Sequence, residues 1–182
     1  MNRRVLGPVT LAGLTLTAVV SIPSAHAAPR GAECQLSGSA TISPGLTQKA
    51  QAESITLSGV ALKGCRSGSS TSPNTTVTSA TISTSPNPLS TTASCASGNL
   101  SMTATINWSN GTTTVATVAT KGVAANQAIT GSVTSSNNPA LAAGDTVAGD
   151  VAFKPTTTAQ NCVKVPVTAV TFTGALISGA PK

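Results

Sequence analysis

Residues 98–120 read GNLSMTATINWSNGTTTVATVAT, and this stretch decides the fold. In Leu100–Trp108 an apolar residue stands at every second position, with mostly polar residues between. Side chains alternate across a β-strand, so the pattern predicts one buried face and one solvent-facing side. Asn110-Gly111 is the strongest short-range hairpin signal, because a type I′ turn needs positive φ at both central residues. A two-residue loop at this point pairs Ile106 with Val115 and predicts that both are buried.

The same alternation recurs in shorter runs on both sides of this hairpin. Together the runs predict an all-β domain of about eight strands, arranged as an antiparallel β-sandwich of immunoglobulin-like style, with a barrel as the alternative. In residues 55–62 both faces are partly apolar, as expected for a strand inside a sandwich. An apolar-hydroxyl-glycine unit repeats at Leu36–Gly38, Leu57–Gly59, Ile129–Gly131 and Phe172–Gly174. We expect these glycines to let Trp108 or a phenylalanine lie across the sheet.

The first residues have the organisation of an export signal. Arg3 and Arg4 precede an apolar stretch, and Ala25-His26-Ala27 is a small-x-small cleavage motif. We therefore expect residues 1–27 to be a signal peptide. Residues 28–182 are then one secreted domain, without a membrane span after cleavage and without a histidine.

Composition argues against nucleic acid as a partner. The net charge of +6 falls to +4 when Arg3 and Arg4 leave with the signal peptide. The remaining basic residues are scattered, and the chain has one Trp, two Phe and no Tyr. Nucleic-acid binders commonly cluster basic residues and interleave stacking aromatics. We expect no nucleic-acid partner.

The residue types needed for most catalytic sites are scarce. Without a histidine in the mature chain, a Ser-His-Asp triad cannot form. The cysteines lack metal-ligand spacing, so we expect no metal and no cofactor. Asp145 and Asp150 are the remaining candidate pair for glycoside hydrolysis, but their odd separation would place them on opposite faces if both lie in the same strand. The sequence therefore favours a protein that is not an enzyme, with a hydrolase as the weakest of the function classes.

Four cysteines in an exported chain predict two disulfide bonds. Of the three possible connectivities we favour Cys34–Cys65 with Cys95–Cys162. The first ties the opening strand to the end of the next, and the second ties the start of the central hairpin to the last strands. In the chain-entropy model each bond contributes roughly 3–4.5 kcal/mol, which is a large share of the stability of a core with few bulky side chains.

Several stretches carry a resemblance to known proteins. They are residues 34–40 with Pro44-Gly45-Leu46, Leu57-Ser-Gly59 ending in Gly64-Cys65, Trp108-Ser-Asn110-Gly111-Thr112, and a late Cys162 followed by Phe172-Thr-Gly174. In these motifs the chain resembles small secreted actinobacterial disulfide-bonded β proteins of uncharacterised function. The resemblance implies a secreted, disulfide-bonded β domain, and it transfers no catalytic residues.

These observations favour a secreted, non-enzymatic structural or interaction protein of the cell exterior, whose partner is an unknown extracellular protein or glycan. The alternative is a secreted protease inhibitor that presents a rigid loop, Ser83–Ser94, pinned near Cys95. Trp108 is a candidate partner contact because it lies near a hairpin tip. Its parity with Ile106 instead favours a role in capping the core. The oligomeric state stays open.

Overall fold

The computed structural model describes residues 31–67, 77–123 and 125–179. These residues form nine strands and no helix, which confirms the all-β class. The strands are β1 (Gly31–Leu46), β2 (Gln51–Ser67), β3 (Ser79–Ser85), β4 (Leu89–Ala93), β5 (Gly98–Trp108), β6 (Thr113–Val123), β7 (Asn126–Ser136), β8 (Thr146–Pro155) and β9 (Val167–Gly179). Within these residues there is no helix long and apolar enough to cross a membrane. The predicted signal peptide lies outside the described residues.

The sheet closes on itself. Apart from β4, each strand pairs antiparallel with the next one along the chain, so that β3 pairs with β5, and β9 returns to pair with β1. The closed wall contains eight strands, with β4 as an additional short one. The barrel, which was the alternative prediction, therefore replaces the sandwich. Alternating apolar and polar residues give a strand one buried and one exposed face in a sandwich and in a barrel alike. The pairing of β1 with β9 closes the sheet and removes the free edges that a sandwich has.

Strands β3 and β4 lie on the same edge of β2. Ile55 of β2 pairs with β1 on one side and with β4 on the other, so β4 continues the line of β3. Residues 86–88 interrupt that line, and the Asn87 side chain bridges the gap. Its Oδ1 accepts a hydrogen bond from the N–H of Leu57 at 3.1 Å, and its Nδ2 donates to the Leu57 carbonyl at 3.1 Å. The segment Ser83–Ser94, predicted as a presented loop, is therefore largely part of the barrel wall.

The central hairpin forms between β5 and β6, but its register differs from the prediction by one residue. The loop has three residues, 109–111, with backbone hydrogen bonds closing it on both sides. Gly111 has a φ of 80°, as in a type I turn followed by a left-handed residue. Because one extra loop residue moves every cross-strand partner, Ile106 pairs with Thr114 rather than Val115. Thr114 is fully buried, whereas Val115 is only partly buried.

Strand β2 turns apolar residues of both sequence parities toward the interior. Gly59 has a φ of 60°, and the pairing of β2 with β1 shifts by one residue next to it, which marks a β-bulge. The extra residue changes the parity of the strand. Ile55 and Leu57 before the bulge, and Val60 and Leu62 after it, therefore all join the core. The two apolar faces predicted from the sequence are one inner face, interrupted by a bulge.

The repeated glycines agree with the prediction in part. A Cβ at Gly38 would collide with the ring of Phe172, its cross-strand partner, so a phenylalanine does lie across this glycine. At Gly131 and Gly174 the same space is taken by a backbone oxygen of the neighbouring strand. Gly59 belongs to the bulge. Close strand approach, rather than a ring, explains two of the four positions.

Candidate functional site

The barrel surrounds an apolar cavity of about 130 Å³ that is partly open to solvent. A single water molecule needs on the order of 10–15 Å³ of such space, so the cavity has room for a small organic molecule. Every strand contributes inward-facing residues to the wall. Those residues are almost all aliphatic or aromatic, and no charged side chain is among the described residues that line the cavity.

The cavity occupies the middle of the barrel and one of its two ends. We call the end with Trp108 and the Cys34–Cys65 bond the filled end, and the end with the Cys95–Cys162 bond the hollow end. Leu46 at the end of β1 and Gly98 at the start of β5 line the cavity, which places it at the hollow end. Several core residues of the filled end do not belong to the lining, among them Leu62, Val77, Trp108, Val133 and Leu141.

Trp108 packs inside the filled end with only 4% of its surface exposed. Its ring Nε1 donates a hydrogen bond to Thr114 Oγ1 at 2.9 Å, and the Thr114 hydroxyl shares a second hydrogen bond with Ser136 Oγ at 2.8 Å. The indole is therefore a core residue, in agreement with its parity. The prediction that Trp108 contacts a partner is corrected, because its burial leaves no ring face accessible to another molecule.

Both disulfide bonds have the favoured connectivity. Cys34–Cys65 links β1 to β2 across a sequence separation of 31 residues. Cys95–Cys162 links the segment before β5 to the segment before β9 across a separation of 67 residues. One bond therefore holds each end of the barrel.

A few polar side chains line the otherwise apolar cavity. Gln127 and Thr120 are each 7% exposed, and the Thr120 hydroxyl donates to Gln127 Oε1 at 2.5 Å. Thr91 donates its hydroxyl hydrogen to the Asn99 carbonyl at 2.8 Å. Thr84 differs from these residues, because its buried Oγ1 has no hydrogen-bond partner within the described ranges.

On the wall formed by β2, β3, β4 and β5, several lining residues are less buried than those of the opposite strands. Leu57, Val60, Ile82 and Met102 face inward on this wall and yet are partly exposed. By contrast, the lining residues of β6, β7 and β9 are buried. Thr84 belongs to the partly exposed wall, but its unpaired Oγ1 is itself buried, so the exposed part of the residue is not the hydroxyl oxygen.

The acidic residues are placed away from the cavity. Asp145 is buried in the turn before β8, where its Oδ2 accepts a hydrogen bond from the N–H of Ala142 at 2.8 Å, while Asp150 is exposed on β8. Glu53 is buried, and its carboxylate accepts hydrogen bonds from the N–H of Gly45 at 3.0 Å and from Gln51 Nε2 at 2.9 Å. Over the described residues, no group of three or more His, Cys, Asp or Glu could hold a metal ion.

Sequence reasoning missed the polar residues of the cavity. Thr84 is two residues beyond Ile82 and four beyond Ala80, so alternation along β3 was a usable signal that it faces inward. Thr120 was missed because the predicted hairpin register, which was wrong, placed it on the outer face of β6. No family model, curated protein or solved structure matches the chain. The resemblance to secreted actinobacterial proteins stays a prediction.

Proposed function

We propose that the protein is a secreted, non-enzymatic binding protein that holds a small, neutral, mainly apolar molecule inside its barrel. The observation that supports this proposal is the cavity of about 130 Å³ with a hydrocarbon wall. Eight-stranded barrels have interiors that are either filled by side chains or hold one small ligand. Here part of the interior is left unfilled.

The chemistry of the wall selects the class of ligand. Apolar surface moved from water to such a wall gains about 25 cal/mol per Å². A charged molecule would lose its hydration, and the described lining residues offer no opposite charge in return. Neutral apolar molecules are therefore favoured over ions and over highly hydroxylated sugars.

Two further features support the non-enzymatic and extracellular parts of the proposal. General acid–base catalysis needs a titratable group within reach of the reacting atom, and the described lining contains only hydroxyl and amide groups as polar side chains. The two disulfide bonds suit an oxidising compartment outside the cell.

The test is an NMR titration of the oxidised protein with p-xylene, following the methyl signals. We expect saturable shifts of Ile106 and Val118, which line the cavity, and none of Val163, which is 69% exposed. Ala104→Leu puts an isopropyl group into the cavity and should weaken binding. Ala119→Leu adds the same group to the outside of β6 and should leave binding unchanged.

The proposal fails if p-xylene causes no saturable shift in the wild-type protein. It also fails if Ala104→Leu and Ala119→Leu bind p-xylene as well as the wild type does, because the site would then lie outside the barrel.

Protease inhibition remains a second candidate function, carried by residues 156–166 instead of the predicted segment. Asn161 Oδ1 accepts hydrogen bonds from the N–H groups of Val163, Lys164 and Val165, at 3.2, 3.0 and 3.4 Å. The adjacent Cys162 is in the Cys95–Cys162 bond. These contacts hold an exposed lysine on a restrained turn, as an inhibitor of proteases specific for basic residues would require.

A titration against trypsin tests this second candidate. We expect inhibition that is lost in Lys164→Ala and retained in Lys154→Ala, which removes an exposed lysine from β8. Full trypsin activity at an excess of the wild-type protein would remove protease inhibition by this turn from consideration.

A further inference from the structure

We infer that the molecule held in the cavity carries a neutral oxygen, a hydroxyl or carbonyl group, and that the Thr84 hydroxyl is its hydrogen-bonding partner. This inference rests on the proposed binding function and adds the chemical group that the cavity recognises. It places one polar contact within a mainly apolar site.

The first observation is the unsatisfied state of Thr84. Its Oγ1 is buried and has no hydrogen-bond partner among the described residues. Buried polar atoms are almost always paired, because an unpaired one has lost its water without receiving a replacement. A ligand oxygen in the cavity would supply the missing partner.

The second observation separates Thr84 from the other threonines of the lining. Thr91 donates to the Asn99 carbonyl, and Thr120 donates to Gln127. Those hydroxyl hydrogens are already used within the protein. Only at Thr84, among the threonines of the described lining, are both the donor and the acceptor capacity of the hydroxyl left over.

The third observation is the position of Thr84 in the cavity. It lies on the partly exposed wall with Ile82 and Met102, and its cross-strand partner on β5 is Ala104. The small Ala104 side chain leaves space beside Thr84. Because the Thr84 Oγ1 is buried in the unliganded protein, the side chain would rotate about χ1 to bring its hydroxyl to the polar group of a ligand in the open part of the cavity. The surrounding aliphatic side chains would contact the rest of the ligand surface.

The experiment compares two probes of nearly the same shape, p-xylene and p-cresol, in which a hydroxyl replaces one methyl group. A phenol has a pKa near 10, like tyrosine, so p-cresol is neutral at pH 7. Affinities for both probes are measured by calorimetry on the wild-type protein, on Thr84→Val and on Thr91→Val. The ratio of the two affinities is compared between proteins, so that the difference in hydration of the probes cancels.

We expect Thr84→Val to lower the p-cresol to p-xylene affinity ratio by roughly three- to tenfold, the range of one net hydrogen bond. Binding of p-xylene should persist in this variant, which also shows that it is folded. Thr91→Val should keep the wild-type ratio, because the Thr91 hydroxyl already bonds to Asn99.

An unchanged ratio in Thr84→Val, with both probes still bound, would overturn the role of Thr84 and leave the apolar site standing; this is also the result if a bound water satisfies the hydroxyl. An equal fall of the ratio in Thr91→Val would overturn it too, because the effect would not be specific to the unpaired group. Absence of binding of either probe to the wild-type protein would overturn the proposed function itself, together with the inference.

Discussion

The filled and hollow ends of the barrel are made by the same strands but differ in what those strands place inside. At the filled end the single tryptophan of the chain is buried and hydrogen bonded to Thr114. At the hollow end the same strands contribute Gly98, Thr120 and Gln127, and a cavity remains. The number of strands sets the diameter of a barrel, so small residues cannot draw the wall inward to fill the space. The cavity at the hollow end therefore results from small side chains and not from a difference in the backbone.

Polar groups show the same difference between regions. Thr114 at the filled end has two side-chain partners, Trp108 and Ser136. Thr84 in the cavity has none among the described residues. A packed region that satisfies its polar atoms contributes stability, whereas an open region with an unpaired hydroxyl is available to a ligand. Each prediction below tests this division of roles.

The largest effect is expected from Trp108→Ala. Removing a buried tryptophan from a packed region costs about 3–5 kcal/mol of unfolding free energy, because a cavity is left behind. Met102→Ala removes a partly exposed side chain next to existing empty space, so its cost should be clearly smaller. Chemical denaturation with oxidised disulfides measures both values. Similar losses for the two variants would mean that the two ends are packed alike.

The disulfide bonds should differ in their effect on binding more than in their effect on stability. From sequence separations of 31 and 67 residues, replacing Cys34–Cys65 or Cys95–Cys162 by alanine pairs costs about 4 kcal/mol each in the chain-entropy model. Cys95 adjoins Ser94, which lines the cavity. Loss of the hollow-end bond should therefore weaken p-xylene binding, while loss of the filled-end bond should not. Calorimetry on the two folded double variants checks this, and equal losses of affinity would contradict it.

The strands and the disulfide bonds could be predicted from the sequence, because they depend on local residue patterns and on the number of cysteines. Alternation from Leu100 to Trp108 located β5, and an even number of cysteines in a chain predicted to be exported indicated two bonds. Closure of the sheet was not predictable in this way. Whether β9 meets β1 depends on the accumulated twist and coiling of all the strands, which no single stretch specifies.

The strand registers and the cavity could not be predicted from the sequence, for different physical reasons. A loop of two or of three residues can contain Asn110-Gly111, and the choice moved Thr114 inward in place of Val115. The bulge at Gly59 similarly reversed the parity of the second half of β2. The cavity is the difference between the volume of the barrel and the summed volume of its inner side chains, so it exists only once the closed wall is known.

An alanine-to-leucine substitution should cost more stability at the filled end than in the cavity. Ala80 pairs with Trp108 at the filled end, and Ala104 lines the cavity. We expect Ala80→Leu to destabilise the protein by about 1–3 kcal/mol, because a packed core has no room for the added carbons. Ala104→Leu should cost less than about 1 kcal/mol, since it extends into empty space. Thermal unfolding followed by circular dichroism measures the difference, and an equal loss would show that the cavity is filled in solution.

The smallest effect, and the one most specific to the division between the ends, is expected from threonine to valine substitutions. Thr114→Val leaves the buried Trp108 N–H without its acceptor and should lower the unfolding free energy by about 1–2 kcal/mol. Thr84→Val removes a hydroxyl that is unpaired in the unliganded protein, so stability should stay unchanged or rise by up to about 1 kcal/mol.

Denaturant unfolding of both variants without added ligand measures the sign of each change. Thr130→Val, at an exposed position on β7, controls for the general effect of valine in a strand. A loss of stability in Thr84→Val equal to that in Thr114→Val would mean that the Thr84 hydroxyl has a partner in the free protein, such as a bound water. The opposite signs expected here require that one threonine serves the packing of the filled end while the other is left unpaired in the cavity.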